Sequence, residues 1–386
     1  MRAAQNVRRS RGDVVVVQTV VPDYRTSFVD CVRERLGDRF VLLSGNEDWT
    51  HDIRHVEAAS SIGVRNRYFA RRQFLWQSGA VRPAIAATVT VLPLNPRIVS
   101  NWAVLVVRRI RGRRTLLWGH AWPRKGRATR SDLVRGLMRR LAHSVIVYTE
   151  QEARQLRTQS RSLDVTAAPN AIYRRLEIVP ADASQPTTDF LFVGRLNGSK
   201  KPTLLLEAFV LACGALPNDV RLIFIGDGPQ LEEVRARVVA HGLENRVLLL
   251  GHVSDVARLR EAYGRAIAAV SPGYVGLSLI QSLGNGVPML VARDEPHAPE
   301  VAAIVEGENG WFFDSDSPDA LASRLVETAR QRAIWASRRE QISDNVRSTY
   351  TVEHMVDSFV AALGVVDHDD VVASSDPTPR AGSGNS

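Results

Sequence analysis

The sequence predicts an α/β protein made of two doubly wound domains, each built on a parallel sheet. Three observations predict it. Short apolar runs alternate with helical patterns along almost the whole chain. In the second half the runs end in turns such as Gly226-Asp-Gly-Pro229 and Ser271-Pro-Gly-Tyr274, which open the next helix. The 386 residues are enough for two separate cores.

The first apolar run, Val14–Val21, follows a basic start from Arg2 to Arg11. It is short, Gln18 interrupts it, and Pro22 and Asp23 follow with no small-residue cleavage site. It therefore reads as a buried strand over Val14–Val20 and not as a signal peptide. Further strands are expected at Phe40–Ser44, Thr88–Leu92, Thr115–Trp118 and Ser144–Tyr148, with helices between them. Thr149-Glu-Gln-Glu152 is a capping box that starts a helix. Asp182–Asp189 is polar, contains Pro186 and lacks periodicity, as a linker does.

A strand then begins at Phe190, and Pro202 suits the first turn of the next helix. Strands are expected at Arg221–Ile225, Val247–Leu250, Ala266–Val270, Met289–Ala292 and Gly310–Phe313. Leu231, Val234 and Val238 share one helix face, Asp255 caps another helix, a third starts near Leu277, and Ser317-Pro318 starts a fourth. The expected organisation is a flexible basic start at 1–12, a first domain at 13–181, a linker at 182–189 and a second domain at 190–345. A closing helix at 346–366 and a disordered tail at 367–386, rich in Asp, Ser, Pro and Gly, complete it.

Hydrophobic content of 45% and charged content of 24% are those of a globular protein. No apolar run reaches the 18 or more residues of a spanning helix. Two isolated cysteines, Cys31 and Cys213, match no metal or disulfide spacing and fit a reduced, cytoplasmic setting. Net charge is +9, and it is uneven: Arg108–Arg140 holds twelve basic residues and one acidic residue, Asp132. Leu116, Leu117, Trp118, Trp122, Leu133, Leu137 and Met138 are mixed into that segment. Such a mixture suits an anionic membrane surface better than a nucleic-acid groove, and no nucleic-acid signature appears. A solvated basic face is the plainer alternative.

The chain has 47 arginines and three lysines, and two of the lysines are adjacent, at 200 and 201, between a strand and a helix. Arg195 lies just upstream in Val193-Gly-Arg-Leu196, where Gly194 permits close backbone approach. A guanidinium forks onto phosphate oxygens and an ammonium adds a compact charge, so Arg195, Lys200 and Lys201 form a candidate phosphate grip. Gly273-Tyr-Val-Gly276-Leu-Ser278 lies at a strand's carboxyl end and opens a helix, where free N–H groups favour an anion. Asp314-Ser-Asp316 reads as helix-start chemistry and not as a metal site, and Asp367-His-Asp-Asp370 falls in the tail.

The segments Val193–Pro202, Ile225–Pro229, Leu250–Val253 and Pro272–Ser278, extended by Pro299-Glu300 and Asn309-Gly310, together resemble the donor half of retaining glycosyltransferase family 4. Their order and spacing over Phe190–Phe313 carry the resemblance. It implies the GT-B fold: two Rossmann-like domains facing across a cleft, the first for the acceptor, with the last helix returning to it. It implies a glycosyltransferase, of hexosyltransferase type, moving a sugar from a nucleotide sugar to a hydroxyl with retention. By resemblance Arg195 and Lys200, or Lys201 in its place, bind the donor diphosphate. Backbone at Gly276, Leu277 and Ser278 holds the distal phosphate, and backbone near Gly251–Val253, at His252 and Val253, faces the base. The family's usual glutamate pair is replaced by Gly273 and Gln281, as in a sub-branch. Gln281 is left to bond a hydroxyl, and Glu300 is the candidate replacement carboxylate or else a helix cap.

Leu117-Trp-Gly-His120 resembles the family's active-site histidine region, which makes His120 a contact to the reacting sugar or acceptor. Tyr24 and Arg25, at the first strand-to-helix turn, are acceptor-side candidates, and Asn170 resembles the turn leading out of the first domain. No metal or other cofactor is implied, since Arg195 and lysine carry the charge compensation. The implied partners are a nucleotide-sugar donor, a lipid-linked or saccharide acceptor of cell-surface polysaccharide or glycolipid synthesis, and an anionic membrane met by Arg108–Arg140, with no nucleic acid. The implied place is the cytoplasm, at the inner face of the plasma membrane. The alternatives are a nucleotide-sugar epimerase of similar fold and a non-catalytic basic membrane- or nucleic-acid-binding protein with a lapsed sugar site.

Overall fold

The computed structural model describes residues 13–49, 61–123, 129–182 and 184–365. The basic start 1–12, the tail 367–386 with Asp367-His-Asp-Asp370, and Arg124, Lys125 and Arg127 of the basic segment lie outside the described residues. The chain divides into two compact units at 168/169 and 354/355.

The first unit runs β1 (Val14–Gln18), α1 (Thr26–Leu36), β2 (Phe40–Ser44), β3 (Ser61–Gly63), β4 (Arg65–Phe69), β5 (Phe74–Ser78) and α2 (Val81–Ala86). It continues with β6 (Val89–Pro93), α3 (Val99–Ile110), β7 (Thr115–Trp118), α4 (Arg130–Leu141), β8 (Ser144–Val147), α5 (Glu150–Gln159) and β9 (Asp164–Ala167). Its sheet has the order β3-β2-β1-β6-β7-β8-β9, with every pair parallel. Thr149 caps α5 through the Glu152 N–H at 3.0 Å, as the capping box predicts.

The second unit runs β10 (Asp189–Val193), α6 (Pro202–Ala212), β11 (Arg221–Ile225), α7 (Leu231–Ala240), β12 (Val247–Leu249), α8 (Val256–Gly264) and β13 (Ala266–Ser271). It continues with α9 (Leu277–Gly284), β14 (Met289–Ala292), β15 (Gly310–Phe313), α10 (Pro318–Arg330), α11 (Arg332–Ser337) and α12 (Arg339–Thr349). The order β12-β11-β10-β13-β14-β15 is again all parallel. Strand β10 is buried on both faces. Phe190 and Phe192 pack on one side with Leu205, Phe209 and Phe224, and Leu191 packs on the other with Ile223, Leu279 and Ile280.

Both sheets reverse their strand order once, between β1 and β6 and between β10 and β13. A parallel sheet leaves a crevice at the carboxyl ends of the strands at such a point.

Two features differ from the sequence expectation. Between β2 and β6 the chain forms β3 and an antiparallel hairpin, β4–β5, where only helix was expected. The contact division also falls earlier than the expected linker. Residues 169–181 lie along the second unit, with Ile178 and Ala181 in its core and the Ala181 N–H on the Asn285 carbonyl at 2.9 Å. At the other end Ile342 and Val346 of α12 belong to the second core. Helix α13 (Val352–Leu363) follows, and its Phe359 ring packs on Phe28 and Trp118 of the first unit at 5.3 and 5.1 Å.

The basic segment is also less uniform than its composition suggests. Arg108 is fully buried. Its guanidinium donates to the Thr115 hydroxyl at 2.8 Å and to the carbonyls of Ala84 (2.8 Å), Ile85 (3.2 Å), Ala87 (2.7 Å), Thr88 (3.0 Å) and Arg114 (2.5 Å). Arg139 is buried too and donates to the Ala121 carbonyl at 2.6 Å. These two arginines hold loops together and are withdrawn from any surface patch. Burial lowers the Arg108 pKa to about 10, so it stays charged at neutral pH. Arg108→Met should leave those carbonyls unsatisfied and cost about 3 kcal/mol or more. Exposed Arg109→Met should change stability by less than about 0.5 kcal/mol. Urea unfolding of the two variants checks the contrast.

Candidate functional site

The second unit's site grows from the loop that leaves β10. Gly194 adopts φ +155, and the loop then runs flat against a neighbouring turn. A Cβ on Gly226 would stand 1.9 Å from the Gly194 carbonyl oxygen, so no side chain fits there. The Leu196 N–H donates to the Asp227 carbonyl at 2.9 Å, and the Leu196 carbonyl accepts from Gln230 at 2.9 Å. On its other side the loop meets Gly273, where a Cβ would lie 2.3 Å from the Ser199 carbonyl oxygen. The Tyr274 N–H donates to that same carbonyl at 2.8 Å. The absence of a glutamate at 273 thus has a steric cause: loop backbone occupies the space its side chain would need.

This clamp separates the fates of the two lysines. Lys201, at φ +50 just before α6, turns its ammonium onto Glu295 at 2.5 Å and Asp316 at 2.6 Å. Its burial works against the charge, but hydrogen bonds to Asp316 and Glu295 outweigh that and raise its pKa. Lys201 is therefore engaged within the protein, and Asp316 serves that ion pair next to a helix capped by Ser317. Lys200 is half-buried and stands 4.9 Å from the centroid of the Tyr274 ring. Burial pulls its pKa down to about 8, partly opposed by the carboxylate of Glu300.

Around Lys200 the carboxyl ends of β10, β13 and β14 converge. Gly276 precedes the first turn of α9, so the N–H groups there have no carbonyl of an earlier turn to bond. Leu277 and Ser278 are the first residues of that helix. The helix dipole adds positive potential at the same place. Glu300 is buried in the first turn of a short 3-10 helix, Pro299–Ala303, and accepts from the Asn170 amide at 2.9 Å. Burial and the nearby Glu300 charge push the Tyr350 hydroxyl up to about 12. Arg195 is exposed on the loop. His252, exposed, and half-buried Val253 follow β12.

Two contacts were not foreseen in the sequence. His297 Nδ1 accepts the Val275 N–H at 3.1 Å, and Nε2 faces the Ala292 carbonyl at 2.7 Å. Only the neutral ring with its proton on Nε2 satisfies both, and burial lowers the pKa accordingly. His297 so ties the loop before α9 to the end of β14. Gln281, expected to bond a ligand hydroxyl, donates its amide to Tyr173 at 2.9 Å and has the Tyr263 hydroxyl 3.5 Å from Oε1. Its side chain is turned to these two tyrosines.

The first unit gathers a second set. His120 is half-exposed, with its ring edge-on to Tyr148 at 4.9 Å and Nδ1 4.0 Å from Glu152 Oε1. Burial raises the Glu152 pKa, against N–H bonds from Ala121 and Tyr148. Arg135 donates to the His120 carbonyl at 3.0 Å. Arg25 lies 4.4 Å over the Trp118 ring and donates to the Tyr148 hydroxyl at 3.2 Å, and Tyr24 beside it is exposed. The structure brings Arg25, His120, Tyr148 and Glu152 together within this unit.

Residues 177–349 match the family model described as Glycosyl transferases group 1. The chain is 28% identical over 183 residues to a subunit of the phosphatidylinositol N-acetylglucosaminyltransferase of Arabidopsis thaliana, covering 42% of this chain and 40% of that one. It is 26% identical over 249 residues to the gpi3 subunit of the corresponding enzyme of Schizosaccharomyces pombe, covering 58% and 53%. It thus spans about half or less of these curated relatives. Among solved structures, HepE of Anabaena in complex with UDP aligns at TM-score 0.67 and 15% identity, over 92% of this chain and all of that one. The pneumococcal O-GlcNAc transferase GtfA, in complex with UDP and GlcNAc, aligns at TM-score 0.63 and 11% identity, over 93% and 99%.

With three lysines in the sequence, a ¹³C-lysine NMR titration should read each site. Lys200 should titrate near pH 8, below the ordinary 10.5, and Lys201 above it. Glu300→Gln should lower Lys200 further, because it removes a charge that favours the ammonium. Between about 8 and 10.5 the unfolded chain binds more protons at Lys200 than the folded one, so this group's contribution to stability rises with pH. These residues all lie within the matched segment: on a chain of GT-B fold, the second unit carries a glycosyl transferases group 1 domain.

Proposed function

We propose that the protein transfers a sugar, of hexose type, from a nucleotide sugar to a hydroxyl acceptor with retained anomeric configuration. The observation that carries this reading is Lys200. Its half-buried ammonium is held by a glycine-clamped loop beside the open N-terminus of α9, at the switch point of a parallel sheet. In this reading Arg195 forks onto the donor's diphosphate, Lys200 adds a compact charge, and backbone N–H groups of Gly276, Leu277 and Ser278 take the distal phosphate. As the bond to the sugar breaks, charge grows on the leaving diphosphate, and these preplaced groups stabilise it. That assigns charge compensation to protein groups without a metal ion. Backbone near His252 and Val253 faces the base. The buried Glu300, fixed by Asn170, stands in for the missing glutamates on the sugar side. His120, with Tyr24 and Arg25, serves the acceptor side. Retention rests on the family resemblance.

UDP is the first nucleotide to test, since similar folds are solved with it. The relatives that act on phosphatidylinositol favour a lipid-linked acceptor at a membrane. Among the described residues no helix is long and apolar enough to cross a membrane. Val106 and Ile110 of α3, and Leu133, Val134 and Leu137 of α4, are exposed, with Arg109, Arg111 and Arg140 exposed beside them in the sequence. The two helices pack on each other. Exposed aliphatic groups with arginines suit peripheral contact with an anionic bilayer.

A panel of nucleotide sugars in thermal shift should find one donor that stabilises the protein, and Arg195→Ala with Lys200→Ala should abolish the shift. Stabilisation by none would sink the reading, and donor epimerised without acceptor would replace it with the epimerase. Donor affinity should fall as pH rises through about 8, where free Lys200 loses its proton. Leu133→Asp with Leu137→Asp should release the protein from phosphatidylglycerol vesicles in a flotation assay. Equal binding to neutral vesicles would refute the electrostatic part.

A further inference from the structure

The β4–β5 hairpin is built with its polarity reversed. A hairpin with one packed face normally turns apolar side chains inward. Here Asn66 (9% exposed) and Gln77 (0%) are inside with Leu75, while Phe69 (45%), Phe74 (38%) and Trp76 (37%) are outside. The N–H groups of both inner amides are bonded, while Gln77 Oε1 is buried without a hydrogen-bond partner. Asn66 donates to the carbonyls of Thr19 (2.9 Å) and Glu47 (2.7 Å), and Gln77 donates to Gln18 (3.0 Å) and to Asn66 (3.0 Å). The Leu75 N–H meets the Arg97 carbonyl at 2.9 Å. These bonds fasten the hairpin to the carboxyl end of β1 and to the segments after β2 and β6, and β1 and β6 flank the first sheet's switch point. The hairpin is thus held by its inner face beside the strand ends where a parallel sheet receives ligands.

The outward residues form a pattern. In the strand register Arg67 stands opposite Trp76 and Phe69 opposite Phe74. The two phenylalanine rings stack, with centroids 5.7 Å apart and planes at 24°. Arg65, next outward on β4, is exposed. Trp76 continues into an open groove of about 420 Å³ lined by Ser78, Gly79, Val81, Arg82 and Pro83. The sequence has no aspartate or glutamate between Glu57 and Asp132, so the hairpin and the groove offer cations and aromatic faces with no acidic residue of their own.

We propose that this face binds an anionic saccharide chain, with sugar rings against Phe69, Phe74 and Trp76 and acidic groups on Arg65, Arg67 and Arg82. Aromatic planes match the flat C–H faces of sugar rings, and guanidinium forks match carboxylate or phosphate. A bilayer needs apolar area of any kind, which α3 and α4 offer as aliphatic groups. The hairpin offers planes at strand spacing. That the chain is the acceptor's rests on the transferase reading. The binding does not.

The test measures binding of the full chain, without donor, to oligogalacturonate, to neutral dextran, to polyphosphate and to phosphatidylglycerol vesicles. Oligogalacturonate should bind and dextran should not. Trp76→Ala and Phe74→Ala, which leave charge unchanged, should each weaken oligogalacturonate about tenfold, and Arg67→Glu should abolish it. All three should melt like the parent and keep the donor-induced thermal shift, so a failure here is distinct from failure of the transferase reading. Polyphosphate binding as tightly, with the aromatic variants unaffected, would reduce the face to a charge effect and overturn the proposal. Loss of vesicle binding in Trp76→Ala with oligogalacturonate unchanged would make it a membrane face and overturn it equally.

Discussion

Close backbone approach at glycine is the constraint on which the second unit's site depends. The loop from Gly194 to Lys201 is pressed between Gly226 and Gly228 on one side and Gly273 on the other. A Cβ at any of these three would fall within 2.4 Å of a loop carbonyl oxygen. The loop therefore cannot relax outward or inward. Lys200 is desolvated because its backbone is held there, and a desolvated ammonium responds strongly to an incoming anion. The same packing leaves no room for a side chain at 273, so the clamp that holds the Lys200 loop also excludes a carboxylate there.

The molecule handles buried charge in two ways. Arg108 and Arg339 are surrounded by backbone carbonyls. Arg339 donates to those of Ala181, Tyr263, Gly264 and Ala266 at 2.9 to 3.3 Å. Such a cation is structural, because its donors are consumed by groups that cannot move. Lys200 instead sits beside an aromatic ring and at Coulombic range of one carboxylate. Its neighbour Lys201 holds two carboxylates. Burial alone does not mark a functional cation. What marks it is burial without a full set of fixed acceptors, next to donors that point the same way.

Most of the fold was legible in the sequence, because buried parallel strands are runs of Val, Ile, Leu and Phe bounded by glycine turns. The loop of Arg195 and Lys200 was legible as a candidate site too, since lysine is rare in this chain. What was not legible depends on tertiary neighbours. Nothing local distinguishes Lys200 from Lys201; only Glu295 and Asp316, some hundred residues away, do so. Gln281 reads as a ligand contact until Tyr173 and Tyr263 are seen on its amide. His297 reads as one polar residue in a loop, and its clasp between Val275 and Ala292 needs both strands in place. The hairpin escaped because neither Arg65-Asn-Arg-Tyr-Phe69 nor Phe74-Leu-Trp-Gln-Ser78 alternates apolar with polar residues, so neither carries the period-two strand signal.

The two units share the strand order 3-2-1-4-5-6 around the switch point, to which the first adds a seventh strand, yet they place different chemistry there. The second puts a compact cation and an open helix end at the crevice, which suits a small, highly charged group. The first puts a hairpin there whose inner face is held by amide-to-carbonyl bonds. Those bonds fix its orientation together with the buried Leu75 side chain. Strand alternation carries Phe69, Phe74 and Trp76 to the opposite face. The aromatic face is therefore a matter of side chains and not of topology, since the strand order at the switch point is common to both units.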